Sequence, residues 1–186
     1  DLDLDPTVFP DAEELQDDAN LGRLKTTIAN GDLDGDGDFD QIFSYGARSF
    51  TIWDTNGNIV YDSGDQLERI VAARFPDGFN ATNDENGADA RSDDKGPEPE
   101  AVTTGYVNGR LYAFLGLERV SGIAIFDISD PTTPMFIDYL SNRYFSAELD
   151  EETTAEFRAL GDLGPEGLYF VPYDDGPNGS NLRAAA

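Results

Sequence analysis

The chain has 186 residues, with 12 basic side chains against 38 acidic ones and neither histidine nor cysteine. A formal charge of −26 excludes nucleic acid and anionic membrane surfaces as natural partners, because both repel an acidic chain, and it favours cations. No disulfide framework or thiol nucleophile is possible, and no apolar run is long enough for direct membrane insertion. A marine or halophilic source would also explain an acidic surface.

Strand patterns dominate the first part of the chain. Short runs rich in β-branched and aromatic residues, bounded by Gly and Asp, occupy residues 23–28, 42–45, 49–54 and 59–62. An Asn-Gly pair, typical of hairpins, lies between the last two runs at Asn56 and Gly57. The pattern predicts four antiparallel strands over residues 23–62.

The same order of strands then recurs. Runs at 101–106, 111–116, 122–128 and 135–140 follow one another, and the third run of each set contains an aromatic residue followed by Asp. A further set begins near residue 164. Repeated meanders predict an all-β chain that is a partial β-propeller, with blades at 23–62 and 101–140 and the start of a third at 164–186. A β-sandwich with similar meanders is the alternative.

Two inserts separate these predicted blades. We expect residues 1–186 to form part of one propeller domain, the remainder of which lies outside this chain. The first insert, residues 63–100, contains apolar residues at helical spacing over 66–75, followed by a polar stretch that we expect to be mobile or ordered by metal. The second, residues 143–162, has acidic residues where a helix over 150–160 would begin.

Residues 32–40 have the spacing of a calcium-binding loop, D-x-D-x-D-G-x-x-D. Calcium takes six to eight oxygen ligands, and carboxylates at alternate positions can converge on one ion when the chain curls around it. Gly37 permits the sharp turn that this requires. We therefore expect calcium ligands from the side chains of Asp32, Asp34, Asp36 and Asp40 and from the carbonyl group of Asp38.

Two other interpretations of this loop are an EF-hand and a solvated acidic turn. An EF-hand loop begins in the same way but needs a glutamate at its twelfth position, where this chain has Phe43, and helices on both sides, where it has predicted strands. The arrangement is more similar to the calcium loops of integrin-type propeller blades. A structural calcium site with the weak affinity of extracellular modules favours an extracellular, cell-surface or periplasmic location.

Gly-Pro-Glu segments precede the first strands of the second and third predicted blades. Because first strands line the channel of a propeller, Glu98, Glu100 and Glu166 would lie near its mouth and could hold a second metal ion or a polar substrate. Equally, proline could stiffen each segment while glutamate satisfies backbone donors. The sequence Asn80-Ala81-Thr82 is a potential N-glycosylation site if the protein is secreted by a eukaryote.

Catalysis by the common triads is excluded, because histidine and cysteine are missing. Carboxylates with calcium could still hydrolyse a phosphoester, as in propeller phytases, although basic residues for phosphate are limited to Arg91, Lys95 and Arg119 near the proposed mouth. The sequence thus leaves two hypotheses, a non-catalytic calcium-binding module and the propeller of a secreted calcium-dependent phosphohydrolase.

Several segments in order resemble one known family. The runs LQDDANLGRLKTT, GDLDGDGDFDQIFSYGARSFTIWDTNGNIVYDSGD, RSDDKGPEPE, YAFLGLERVSGIAIFDISDPTTP and GDLGPEGLYFVP are similar to the bacterial choice-of-anchor I family, which is related to the mesenchyme-specific cell-surface glycoprotein type. The resemblance implies a propeller-like fold, a secreted or surface location and a longer parent protein. It implies no catalytic residues, and suggests as partners other extracellular proteins or further segments of the same polypeptide.

Overall fold

The computed structural model describes residues 2–46, 48–145, 154–176 and 182–185. It divides into two compact units, which we call the N-terminal unit (Asp1–Gly46 with Ser92–Lys95) and the sheet unit (Ala47–Arg91 with Gly96–Ala186). The described residues form mostly β-strands with few, short helices, which confirms the prediction of a mainly β chain. None of the helices in these ranges is long and apolar enough to cross a membrane.

The elements form three antiparallel sheets, β1-β2, β3-β4-β5-β6 and β7-β8. Short 3-10 helices lie at Pro76–Gly78 and Tyr173–Asp175. In chain order the helices and strands are α1 (Ala12–Leu15), β1 (Thr51–Trp53), β2 (Ile59–Asp62), α2 (Gln66–Arg74), β3 (Pro99–Val107), β4 (Arg110–Leu117), β5 (Gly122–Asp127), β6 (Met135–Leu140), α3 (Thr154–Ala159), β7 (Leu168–Val171) and β8 (Leu182–Ala185).

The four-stranded sheet is the meander predicted over residues 101–140. Its first hairpin turns at Asn108 and Gly109, both of which have positive φ, and pairs Val107 with Arg110. From that turn the register runs without interruption to Ala101, where a bulge shifts it. Strands β4 and β5 are the most buried, because they lie in the middle of the sheet.

One face of this sheet is covered by α2 and by the β1-β2 hairpin. Leu67, Ile70 and Val71 occupy one side of α2 at helical spacing and are buried in the same core as Phe126. Phe126 is fully buried, with its ring centroid 4.8 Å from that of Phe50. The core therefore joins elements that are distant in sequence.

The opposite face is covered by β7. The rings of Phe114 on β4 and Phe170 on β7 stack with their centroids 5.8 Å apart. Gly105 on β3 leaves room for the Phe170 ring, since a Cβ at this position would lie 2.3 Å from it. The three sheets thus pack face to face in the order β1-β2, β3–β6, β7-β8, and within the described ranges they do not close a ring.

The predicted four-stranded meander over residues 23–62 is wrong in its first half. Residues 49–54 and 59–62 contribute β1 and β2, but residues 23–28 and 42–45 form no strand and share one antiparallel bridge between Thr26 and Ser44. These segments lie in the N-terminal unit, where the side chain of Ile28 is 77% exposed. Without an apolar face to bury, two short paired segments gain too little to form a sheet.

The helices of both inserts agree with the sequence prediction where the structure describes them. Helix α2 covers nearly all of the predicted 66–75, and α3 lies inside the predicted 150–160. Residues 146–153 of the second insert lie outside the described residues, as do 177–181 of the third predicted blade, whose strands β7 and β8 pair antiparallel.

Replacing Gly105 with alanine should destabilise the chain, because the added methyl group overlaps the Phe170 ring. Overpacking of this kind costs about 1–3 kcal/mol of unfolding free energy, measurable by urea denaturation. Gly167→Ala is the matched control, since a Cβ there meets nothing within 4 Å. In a Phe170→Ala background the cost of Gly105→Ala should disappear, and an undiminished cost would contradict the packing of β7 on β3.

Candidate functional site

The loop of residues 32–40 curls back on itself within the N-terminal unit. Gly35 and Gly37 have φ of +81° and +105°, a region that residues with a Cβ rarely adopt. The N–H groups of Asp40 and Gln41 both donate to the carbonyl oxygen of Gly31, at 2.8 and 3.1 Å, and close the loop. The segments before and after it meet at the Thr26–Ser44 bridge, so the loop does join antiparallel segments.

Three of the predicted ligands come together in this loop. Carboxylate oxygens of Asp32, Asp34 and Asp40 all lie within 4.8 Å of one another. Backbone N–H groups hold two of these side chains, because Gly35 donates to Asp32 at 2.6 Å and Leu33 donates to Asp40 at 2.7 Å. We call Asp32, Asp34 and Asp40 the first carboxylate group.

A second carboxylate group adjoins the first and shares Asp40 with it. It contains Asp5, Asp38 and Asp40, again with oxygens within 4.8 Å. Asp5 reaches the loop because Leu4 and Phe39 form a parallel bridge, in which the Asp5 N–H donates to the Phe39 carbonyl at 3.1 Å. Asp5 was not predicted as a ligand, because the sequence shows the alternating Asp-Leu-Asp-Leu-Asp start but not that this segment pairs with Phe39.

Asp36, also predicted as a ligand, belongs to neither group, and its carboxylate accepts the N–H of Asp38 at 3.2 Å. Its charge nevertheless affects its neighbours. Repulsion by Asp36 raises the pKa of Asp34 above its ordinary value. Partial burial, together with a hydrogen bond to Asp36, raises the pKa of Asp38 to about 6. Crowding at Asp34 and burial at Asp38 therefore disfavour the charged forms of these carboxyl groups, which a bound cation would stabilise.

The donor set of these groups consists of carboxylate oxygens, the ligands that calcium and magnesium prefer. The two groups contain five aspartates and share Asp40, and they could supply oxygens to one or two ions. The residues present therefore fit a hard divalent cation chemically.

A third cluster lies in the sheet unit and contains two of the predicted channel-mouth glutamates. Oxygens of Glu98, Glu100 and Glu118 lie within 4.8 Å of one another, and Glu98 and Glu118 are buried. Glu166, the other predicted residue, is exposed and outside the cluster. Glu118 was missed, although counting back along the β3-β4 hairpin from its turn would have placed it near Glu98, whose carbonyl accepts the Glu118 N–H at 2.9 Å.

Arg119 neutralises part of this glutamate cluster. Its guanidinium donates to Glu98 and lies 3.4 Å from a carboxylate oxygen of Glu118. It also donates to the side chain of Asn83 at 2.8 Å, which ties the polar insert to the end of β4. Hydrogen bonds to Glu118 and Glu98 raise the pKa of Glu100 to about 7.

Arg143 holds the polar insert from the other side. Its side chain is buried and donates to the carbonyl oxygens of Thr82, Glu85 and Arg119, at 2.6 to 2.8 Å. Burial lowers its pKa to about 10. Residues 82–86 of the insert, which we expected to be mobile or ordered by metal, thus contain three residues that accept hydrogen bonds from a buried guanidinium.

The potential glycosylation site at Asn80 is not accessible in this fold. Asn80 is fully buried, and its side-chain nitrogen, the atom that a glycan would modify, donates to a carboxylate oxygen of Glu68 at 2.8 Å. The sequence motif alone could not reveal this, because burial of Asn80 results from packing of the insert.

The glutamate cluster should make stability depend on pH. A carboxyl group whose pKa rises from 4.5 unfolded to about 7 folded binds more protons in the folded state between these values. The unfolding free energy therefore falls as pH rises through that window. Glu100→Gln should flatten this fall in denaturant titrations between about pH 4.5 and pH 8, whereas Glu166→Gln, outside the cluster, should not. Equal slopes for wild type and Glu100→Gln would contradict the raised pKa of Glu100.

Comparisons with known proteins agree with the resemblance found in the sequence. The family model of the choice-of-anchor I domain matches residues 1–131. Gigasin-3a of Magallana gigas is 32% identical over 177 residues, which cover 90% of this chain and 61% of that protein. The Mesenchyme-specific cell surface glycoprotein of Strongylocentrotus purpuratus is 27% identical over 152 residues, which cover 73% of this chain and 20% of that protein.

The chain therefore spans about three fifths of the first relative and one fifth of the second. No solved structure matches it. Since the family model covers residues 1–131 of 186, well over half of the sequence, the chain belongs to the choice-of-anchor I family.

Proposed function

We propose that this chain is a calcium-stabilised, non-catalytic module of a secreted or cell-surface protein, and that its sheets form part of a β-propeller. The observation that carries the calcium proposal is the convergence of Asp32, Asp34 and Asp40 in a loop that joins antiparallel segments. The role is structural, because an ion bound there would cross-link both ends of the loop. An ion in the second carboxylate group would tie the N-terminal segment to the loop through Asp5.

The charge of the loop supports this role. Repulsion from Asp36 already raises the pKa of Asp34, so the cluster of charged carboxylates destabilises the fold without a counter-ion. A divalent cation reverses that effect, and calcium tolerates the irregular geometry of a flexible loop better than magnesium does.

The proposed location is supported by the affinity typical of such sites and by the name of one relative. Extracellular calcium modules typically bind with dissociation constants of about 10⁻⁴–10⁻³ M, which requires calcium at extracellular concentrations. One relative is by its name a cell surface glycoprotein, which supports a surface or secreted setting for this chain.

The propeller proposal is supported by the way the sheets stack. Blades of a propeller are antiparallel sheets packed face to face around an axis. Here the Phe50–Phe126 contact joins the first sheet to the second, and the Phe114–Phe170 contact joins the second to the third. In that arrangement β3, the first strand of the four-stranded sheet, would line the channel.

Calcium should stabilise the chain measurably. For a dissociation constant of about 0.1–1 mM, roughly 10 mM calcium adds about 1–3 kcal/mol to the unfolding free energy. Thermal unfolding with calcium or with chelator, and calorimetric titration, would measure the effect and the stoichiometry. Asp34→Ala should remove most of it, because Asp34 belongs to the first carboxylate group.

The matched control is Asp18→Ala, which removes an exposed aspartate of the same unit that lies outside both carboxylate groups. It should retain the calcium effect, and magnesium should give less stabilisation than calcium in the wild type. Identical melting temperatures with calcium and chelator, or an undiminished calcium effect in Asp34→Ala, would refute the site.

The competing hypothesis of a calcium-dependent phosphohydrolase makes a different prediction. Arg119, one of its candidate phosphate ligands, is engaged by Glu98 and Glu118, which supports the non-catalytic proposal. We expect no turnover of phosphomonoesters or phosphodiesters with calcium present. Turnover that chelator abolishes and that Glu98→Gln removes would establish the competing hypothesis instead.

A further inference from the structure

A long groove in the sheet unit is not used by the proposed function. It has a volume of about 660 Å³ and lies between β1 and the half of the four-stranded sheet that the β1-β2 hairpin leaves uncovered. Its floor is apolar and includes Val102, Ala113, Leu115 and Ile128. Its size lies within the range of ligand-binding clefts in proteins.

One wall of the groove is the edge of a strand. Five consecutive residues, Ser49 to Trp53, line it. Because alternate side chains of a strand point to opposite faces, an unbroken run of lining residues means that the backbone of β1 also borders the groove. Among the described residues β1 has one strand neighbour, β2. An unpaired strand edge beside an apolar floor is the arrangement that binds extended peptides by β-augmentation.

Two large apolar side chains of the groove are exposed. Trp53 is 57% exposed and Val102 is 65% exposed, on opposite sides of the groove. Farther along the same sheet face, the Phe50–Phe126 contact shows how aromatic residues of the first sheet pack on the second. A strand added to β1 would continue that established packing and cover both exposed side chains.

The charge around the groove selects the chemistry of the added strand. Asp62 accepts hydrogen bonds from Thr51 and Ser49, which line the groove, and the bond from Thr51 lowers the pKa of Asp62, so this carboxylate stays charged at neutral pH. Glu100 also lies in the lining and adds negative charge above its raised pKa of about 7. The whole chain carries −26, so a second copy would be repelled and a basic segment attracted.

We propose that this groove binds an extended, basic β-strand of a partner protein, which pairs with the free edge of β1 and inserts alternate apolar side chains toward Val102 and Ala113. The bound strand widens the first sheet from two strands to three. Main-chain hydrogen bonds to β1 supply register, the apolar floor supplies contact area, and lysine or arginine side chains on the outer face meet the acidic surface. The proposal does not depend on the calcium loop, since every residue that lines the groove belongs to the sheet unit.

Trp53 makes the test direct, because it is the single tryptophan of the chain. The probe is a synthetic peptide of about eight residues that alternates valine with lysine, and its control is the same peptide N-methylated at alternate residues, which cannot pair with a strand edge. The unmethylated peptide should shift Trp53 emission to shorter wavelength and protect it from acrylamide quenching. The methylated peptide should do neither.

Val102→Lys should weaken the peptide's affinity at least about tenfold, because it adds a positive charge to the apolar floor. Tyr106→Lys is the matched control, since Tyr106 is 69% exposed on the same strand but does not line the groove, and it should leave the affinity unchanged. Raising the salt concentration should weaken binding as well.

Three results would overturn the proposal. The methylated peptide could bind as well as the unmethylated one, which would exclude edge pairing. Trp53 could be shielded from acrylamide in the free chain at every protein concentration, and the peptide could have no effect on it. That result would mean that the protein's own residues fill the groove. Shielding that is lost on dilution would instead assign the groove to a second copy of the chain.

Discussion

Phe126 packs against Phe50 and Phe136 in the core of the sheet unit. The main constraint on that unit is that both faces of its four-stranded sheet must be covered. An antiparallel sheet whose two central strands are this apolar cannot leave either face in water. Helix α2 and the β1-β2 hairpin cover one face, and β7 covers the other. The cover is incomplete over the β3-β4 half of the first face, and that gap is the groove of about 660 Å³.

Acidic side chains are accommodated in two different ways. In the sheet unit, buried Glu98 is paired with Arg119, and Glu100 gains a raised pKa, so that guanidinium and proton together limit the repulsion. In the loop of residues 32–40, backbone N–H groups donate to the carboxylates of Asp32 and Asp40. The pKa of Asp34 is nevertheless raised, because Asp36 repels its charged form. The first uses a guanidinium and a raised pKa of the chain itself, whereas the second leaves repulsion between carboxylates that an added cation would relieve.

Local sequence patterns predicted the elements whose formation depends on neighbouring residues. The second meander, its Asn108-Gly109 turn and helix α2 all follow from alternation, turn chemistry and helical spacing. The first meander failed in residues 23–28 and 42–45, because strand-forming composition does not supply a face to bury, and Ile28 is left in water. Both meanders contain β-branched and aromatic residues, but residues 23–28 and 42–45 lie in the N-terminal unit and not in the unit that contains the four-stranded sheet.

The candidate sites divide in the same way. The sequence by itself determined the curled loop of residues 32–40, since glycines at left-handed positions and carboxylates at alternate positions act within a few residues. Tertiary structure alone decided that Asp5 joins that loop, that Glu118 lies beside Glu98 and that Arg143 holds the polar insert. These contacts join residues far apart in the chain, and their positions depend on strand register and on burial, which no local pattern encodes.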